Sequence, residues 1–161
     1  MTDMNKLKKT PEQYRVEAEM NFVNGFNCAQ AVFLTFAEEL GFEREVALKI
    51  SSPFGGGMGR LREVCGAVSG MLMVLGMRYG YTSADSDGEK KELYRKVQQL
   101  AGEFKEKNQT VVCRELLNLK IEGADSPIPE ARTPEYYKKR PCARFVGDAA
   151  EITAKFIEEN G

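Results

Sequence analysis

The chain has 161 residues, 42% of them hydrophobic and 29% charged, with 23 basic against 24 acidic side chains and a formal net charge of −1. That length supports one domain with a real core, and the balanced charge offers no basic excess for nucleic acid or an anionic membrane surface. Histidine is absent, which excludes Ser-His-Asp and Cys-His catalysis, histidine-ligated haem and mixed Cys/His zinc sites made by this chain alone.

The first seven residues hold no apolar signal core, and the longest apolar run, around Met71, is interrupted by Gly70 and Gly76. A membrane span needs about 20 apolar residues, so a cytoplasmic protein with no membrane partner is expected. Four cysteines, Cys28, Cys65, Cys113 and Cys142, lie far apart with no Cys-x-x-Cys pair. In a reducing compartment they are expected as thiols rather than as a disulfide framework.

Helix signals recur along the chain and strand signals are nearly absent. A single all-α domain over 1–161 is therefore expected, with residues 1–9 as a mobile tail. Thr10-Pro11-Glu12-Gln13 reads as a helix start, with threonine as cap, proline in the first turn and Gln13 completing a capping box. Over 14–22 the apolar residues alternate as in a strand, but the Glu, Ala, Met and Arg content predicts a helix, stopped at Asn24-Gly25. Asn27-Cys28-Ala29-Gln30 is a second capping box, and Val32, Phe33, Phe36, Ala37 and Leu40 form the apolar stripe behind it, ending at Gly41. A short helix over about 43–50 leads into Ser51-Ser52-Pro53 and a glycine cluster.

That cluster, Gly55-Gly56-Gly57-Met58-Gly59, runs through Arg60-Leu61-Arg62-Glu63-Val64 to Cys65-Gly66-Ala67-Val68-Ser69-Gly70. Glycines permit left-handed and crowded backbone paths that side chains forbid. Gly55, Gly56, Gly57, Gly59, Gly66 and Gly70 are expected to shape the approach to Cys65. A phosphate-binding loop would need Gly-Lys-Ser/Thr and a preceding apolar strand, and both are missing. The helix over about 65–79 is apolar nearly all round and is expected as the buried central helix. A long helix over about 85–107 follows, with Leu93, Val97, Leu100, Ala101 and Phe104 inward. Thr110 is expected to cap a helix over 111–119. Residues 121–133, with Pro127 and Pro129, read as a loop, 134–137 as a short helical turn, and a final helix begins near Pro141-Cys142.

Each cysteine thus falls in the first turn of a predicted helix. Unpaired N–H groups and the helix dipole make a helix start positive, which favours the thiolate, the form that attacks disulfides and binds metals. Arg60 and Arg62 precede Cys65, Arg114 follows Cys113 and Arg144 follows Cys142. Four cysteines allow three complete pairings, and the sequence does not choose among them.

The pattern of Cys28, then Cys65-Gly66-Ala67-Val68-Ser69-Gly70 behind a glycine loop, then Cys113 and Cys142, resembles the C-GCAxxG-C-C family of bacterial and archaeal proteins described as redox-active. The resemblance covers the chain from about Asn24 to the last helix. It implies a redox role without naming a substrate, and its small helical members suggest a homodimer. Three readings follow. In the first, thiolates at helix starts undergo thiol–disulfide exchange or carry electrons, with Cys65 the preferred reactive thiol and Cys28, Cys113 and Cys142 its resolving partners. That couple needs no cofactor, and its partner is a redox protein or a small thiol or disulfide. In the second, Cys28, Cys65, Cys113 and Cys142 ligate an iron–sulfur cluster or another metal, although ferredoxin and zinc-ribbon spacings are absent. In the third, a helical scaffold buries four inert thiols.

Overall fold

The computed structural model describes residues 7–161. The first six residues of the expected tail lie outside this range; Leu7 packs against the core and Lys9 pairs with Glu17. Among the described residues there are eight right-handed α-helices: α1 (Pro11–Val23), α2 (Cys28–Ala37), α3 (Arg44–Ser51), α4 (Gly66–Tyr79), α5 (Asp87–Asn108), α6 (Cys113–Leu116), α7 (Pro134–Lys139) and α8 (Cys142–Asn160). The protein is all-α. No described helix is long and apolar enough to cross a membrane.

Helices α1 and α2 begin at the two capping boxes. The Gln13 N–H donates to Thr10 Oγ1 at 3.2 Å and the Thr10 N–H to Gln13 Oε1 at 2.8 Å; Asn27 and Gln30 repeat the exchange at 2.9 and 3.1 Å. Two donors that a helix start otherwise leaves unpaired are satisfied each time. The strand-like alternation over 14–22 is also resolved. Tyr14, Ala18 and Phe22, four residues apart, are buried, whereas Val16 and Met20 of the same pattern remain 48% and 58% exposed.

Helix α8 packs against α1, α2, α4 and α5. On its α1 side, Gly147 leaves room for the ends of two α1 side chains: a β-carbon there would lie 2.2 Å from Glu19 Oε1 and 2.7 Å from Arg15 Nη1. Beside it the buried Asp148 carboxylate is paired with Arg15 of α1 and accepts from Asn108 Nδ2 of α5 at 3.1 Å. Arg15 also pairs with Glu151 and Glu19. A charge buried with partners on both sides is tolerated, whereas the same charge alone would be costly.

Helix α4 lies against α2, α5 and α8. It buries Ala67, Val68, Met71, Val74 and Leu75, while Met77 on its outer side stays 45% exposed. Gly70 sets its closeness to α2: a β-carbon there would meet the Ala29 carbonyl oxygen at 2.8 Å and Val32 Cβ at 3.0 Å.

The helix expected over 111–119 is corrected to the single turn α6. Val112 instead forms an antiparallel bridge with Val64, and Thr110 Oγ1 accepts from the Val112 N–H at 3.1 Å rather than capping a helix. β-Branched residues favour this extended pairing. The Cys65 N–H donates to the Val111 carbonyl at 2.8 Å and the Cys113 N–H to the Glu63 carbonyl at 2.6 Å.

Candidate functional site

Between the short turn at Ser52–Phe54 and the Val64 bridge the backbone turns left-handed. Five consecutive residues have positive φ: Gly56 at 70°, Gly57 at 72°, Met58 at 70°, Gly59 at 65° and Arg60 at 68°. The Gly59 N–H donates to the Gly55 carbonyl at 2.9 Å and closes the turn. Glycine enters this region freely, but Met58 and Arg60 do so at roughly 1–2 kcal/mol each. Side chains from later in the chain clamp the strained path. Arg60 and Arg62 both reach Asp125 Oδ2, at 3.1 and 3.0 Å, and Arg114 Nη2 donates to the Leu61 carbonyl at 2.7 Å.

The turn passes directly over Cys113. A β-carbon at Gly57 would lie 2.6 Å from Cys113 Cβ and 2.9 Å from backbone atoms of Arg62 and Glu63, so only glycine fits. Gly66 plays the same part for Cys28, whose Cβ would be 3.0 Å from an added β-carbon. The start of α2 therefore abuts the start of α4. Cys65 and Cys113 directly follow the two valines of the bridge.

The structure places Cys28, Cys113 and Cys142 as the first residues of α2, α6 and α8, and Cys65 as the cap residue before α4. All four are free thiols and all four line one cavity of about 260 Å³. Gly55, Gly56, Gly57, Gly59 and Gly66 line it too. Gly70 does not; its place is between α2 and α4.

The four sulfurs are not electrostatically equivalent. Cys28 and Cys142 act directly on each other: the interaction with Cys142, followed by burial, raises the Cys28 pKa well above the ordinary thiol value. The same interaction lowers that of Cys142, against the opposing effect of burial and with further help from Arg140, Arg132 and Arg62. The start of the 19-residue helix α8 adds to this bias. Burial pushes the Cys65 thiol up to about 12, despite backbone hydrogen bonds from Ala67 and Val68. Burial also raises Cys113, although Arg62 Nη1, 3.7 Å from its sulfur, pulls the other way. Of the four, Cys142 is the cysteine whose pKa the surroundings lower.

Residues 121–133, expected only as a loop, supply much of this environment. Asp125 anchors Arg60 and Arg62, and Glu130 pairs with Arg140. Arg132 lies over the rings of Phe22, Tyr136 and Tyr137 at 4.5, 4.9 and 5.7 Å from their centroids and donates to the Phe22 and Phe26 carbonyls at 3.1 and 3.3 Å. Burial pushes the Tyr136 phenol up to about 12, and the nearby Cys142 sulfur adds to the shift. The arginines noted beside cysteines in sequence are only partly the ones the fold brings to the sulfurs: Arg62 reaches Cys113, and Arg140, Arg132 and Arg62 act on Cys142. Among the described residues no group of three or more Cys, Asp or Glu side chains is disposed to hold a metal ion.

An all-α domain that gathers four thiols at helix starts around one arginine-lined cavity belongs to the class of multi-cysteine thiol proteins. The family described as "Putative redox-active protein (C_GCAxxG_C_C)" matches residues 26–156, and the chain belongs to that family. Comparison with curated proteins and with solved structures gives no match.

Proposed function

We propose that the protein performs thiol–disulfide exchange, with Cys142 as the attacking thiolate and Cys28 as the resolving thiol. The observation that carries this reading is that Cys28 and Cys142, the first residues of α2 and α8, line one cavity. Their interaction there raises the pKa of Cys28 and lowers that of Cys142, so the proton stays with Cys28. The Cys142 thiolate attacks one sulfur of a substrate disulfide, forming a mixed disulfide and expelling the other half as a thiolate. That thiolate takes the Cys28 proton. Cys28 then attacks the Cys142 sulfur and expels the second half. Two electrons pass from the protein dithiol to the substrate, and a Cys28–Cys142 disulfide remains. Cys65 and Cys113, whose pKa values burial raises, stay protonated through this exchange.

Reduced protein mixed with one equivalent of 5,5′-dithiobis(2-nitrobenzoate) tests the assignment. Wild type is expected to release both halves of the reagent. Cys28→Ser is expected to release one half and retain the other on Cys142, identified by mass spectrometry. Adducts spread over Cys65 and Cys113, or unchanged release from Cys142→Ser, would overturn it.

A further inference from the structure

We propose that the cavity selects a small disulfide whose two halves carry carboxylates, in preference to neutral or cationic disulfides and to disulfides of folded proteins. This rests on Cys142 being the attacking thiolate.

The charge around the cavity supports it. Its charged lining residues are Arg60, Arg62, Arg132, Arg140 and Glu130. Arg60 and Arg62 share the single carboxylate of Asp125, and Arg140 is matched by Glu130. Arg132 is held by aromatic faces and by the Phe22 and Phe26 carbonyls, which are all uncharged. Its positive charge is therefore fixed in place without being neutralised. The cavity keeps a positive excess in a chain whose net charge is −1. Guanidinium groups bind carboxylates through paired, charge-assisted hydrogen bonds, and a low-dielectric cleft of one sign concentrates ligands of the other.

Size and depth argue for a small molecule. The volume of about 260 Å³ lies just under the range of drug-sized ligand sites, which begins at about 300 Å³. Cys142 is only 7% exposed and Cys65 only 5%. A disulfide on a rigid partner surface cannot reach sulfurs set this deep, whereas a flexible small disulfide can enter. Leu116, Leu117 and Phe145 give the cavity apolar wall for the carbon skeleton.

The step balances as above: the Cys142 thiolate forms a mixed disulfide with one carboxylate-bearing half, the other half leaves as a thiolate and is protonated, and Cys28 releases the second half while the protein is oxidised by two electrons.

The test measures single-turnover rates of fully reduced protein with dithiodiglycolate (anionic), 2-hydroxyethyl disulfide (neutral) and cystamine (cationic), with a folded protein disulfide as a fourth probe. Each rate is divided by that of a free small thiol with the same probe, which removes differences in leaving group. Dithiodiglycolate is expected to exceed the neutral probe about tenfold or more, with cystamine and the protein disulfide slowest and the gap closing as salt rises. Arg140→Gln is expected to shrink the gap, and Arg132→Lys to preserve more of it than Arg132→Met. Equal normalised rates with reaction still at Cys142 would overturn the selectivity and leave the thiolate assignment standing. Absence of reaction at Cys142 with every probe would overturn both.

Discussion

Cys28, the first residue of α2, and Cys142, the first residue of α8, line one cavity, and their interaction raises the pKa of the first and lowers that of the second. These residues are 114 positions apart, and their meeting depends on how the two helix starts are approached by others. Gly66 lets Cys28 lie against the start of α4, and α8 packs against both α2 and α4. The cavity is thus a product of packing, and its chemistry follows from the charges that later loops bring to it.

The pKa of Cys142 is lowered first by Cys28, so its reaction with iodoacetamide, followed by mass spectrometry, is expected to reach half-maximal rate below the ordinary thiol value of 9.0. In Cys28→Ala the profile is expected to move upward in pH. An unmoved profile would show that Cys28 does not set the acidity.

Cys65 makes an opposite statement about stability. Its pKa rises from 9.0 to about 12 in the folded chain. Above 9.0 the unfolded chain therefore loses a proton that the folded chain keeps, and unfolding becomes easier. Stability is expected to be independent of this group below pH 9 and to fall by about 1.4 kcal/mol per pH unit between the two values. Cys65→Ala is expected to flatten that part of the curve in urea titrations across the alkaline range.

Gly57→Ala places a β-carbon 2.6 Å from Cys113 Cβ at a residue with φ of 72°. Backbone strain and overpacking each cost on the order of 1–3 kcal/mol. A loss of roughly 2 kcal/mol or more is expected in denaturant unfolding, together with faster alkylation of Cys113 as the turn lifts away. Gly59→Ala meets no comparable neighbour, only the Pro53 carbonyl oxygen at 3.6 Å, and is expected to cost less.

Asp148→Ala leaves Arg15 and Asn108 short of a partner at the α1–α8–α5 junction. A loss on the order of 3 kcal/mol is expected, read as a lower Tm. The acidity of Cys142, which is set by Cys28, Arg140, Arg132 and Arg62 rather than by this network, is expected to stay unchanged in the folded fraction.

Much of the fold was legible because local chemistry and tertiary structure agree. The Thr10/Gln13 and Asn27/Gln30 boxes start the helices that they predict, and Pro141-Cys142 opens the last helix. The glycine cluster was legible as an unusual path, but its hand was not, since Met58 and Arg60 are poor left-handed residues and are held there by Asp125 and its surroundings. Val111 and Val112 left the expected helix because Val64, far off in sequence, offered them a bridge. Arg132 gave no local sign of its role. Its contacts with Phe22 and Phe26 span more than a hundred residues, and only the folded chain puts its charge near Cys142.

The central claim is tested most directly by mapping the disulfide formed when the reduced protein is oxidised by one equivalent of a two-electron oxidant, quenched with acid and digested for mass spectrometry. The account predicts a Cys28–Cys142 cross-link, with Cys65 and Cys113 recovered as thiols. A dominant Cys65–Cys113 link, or oxidation without any Cys28–Cys142 link, would contradict it.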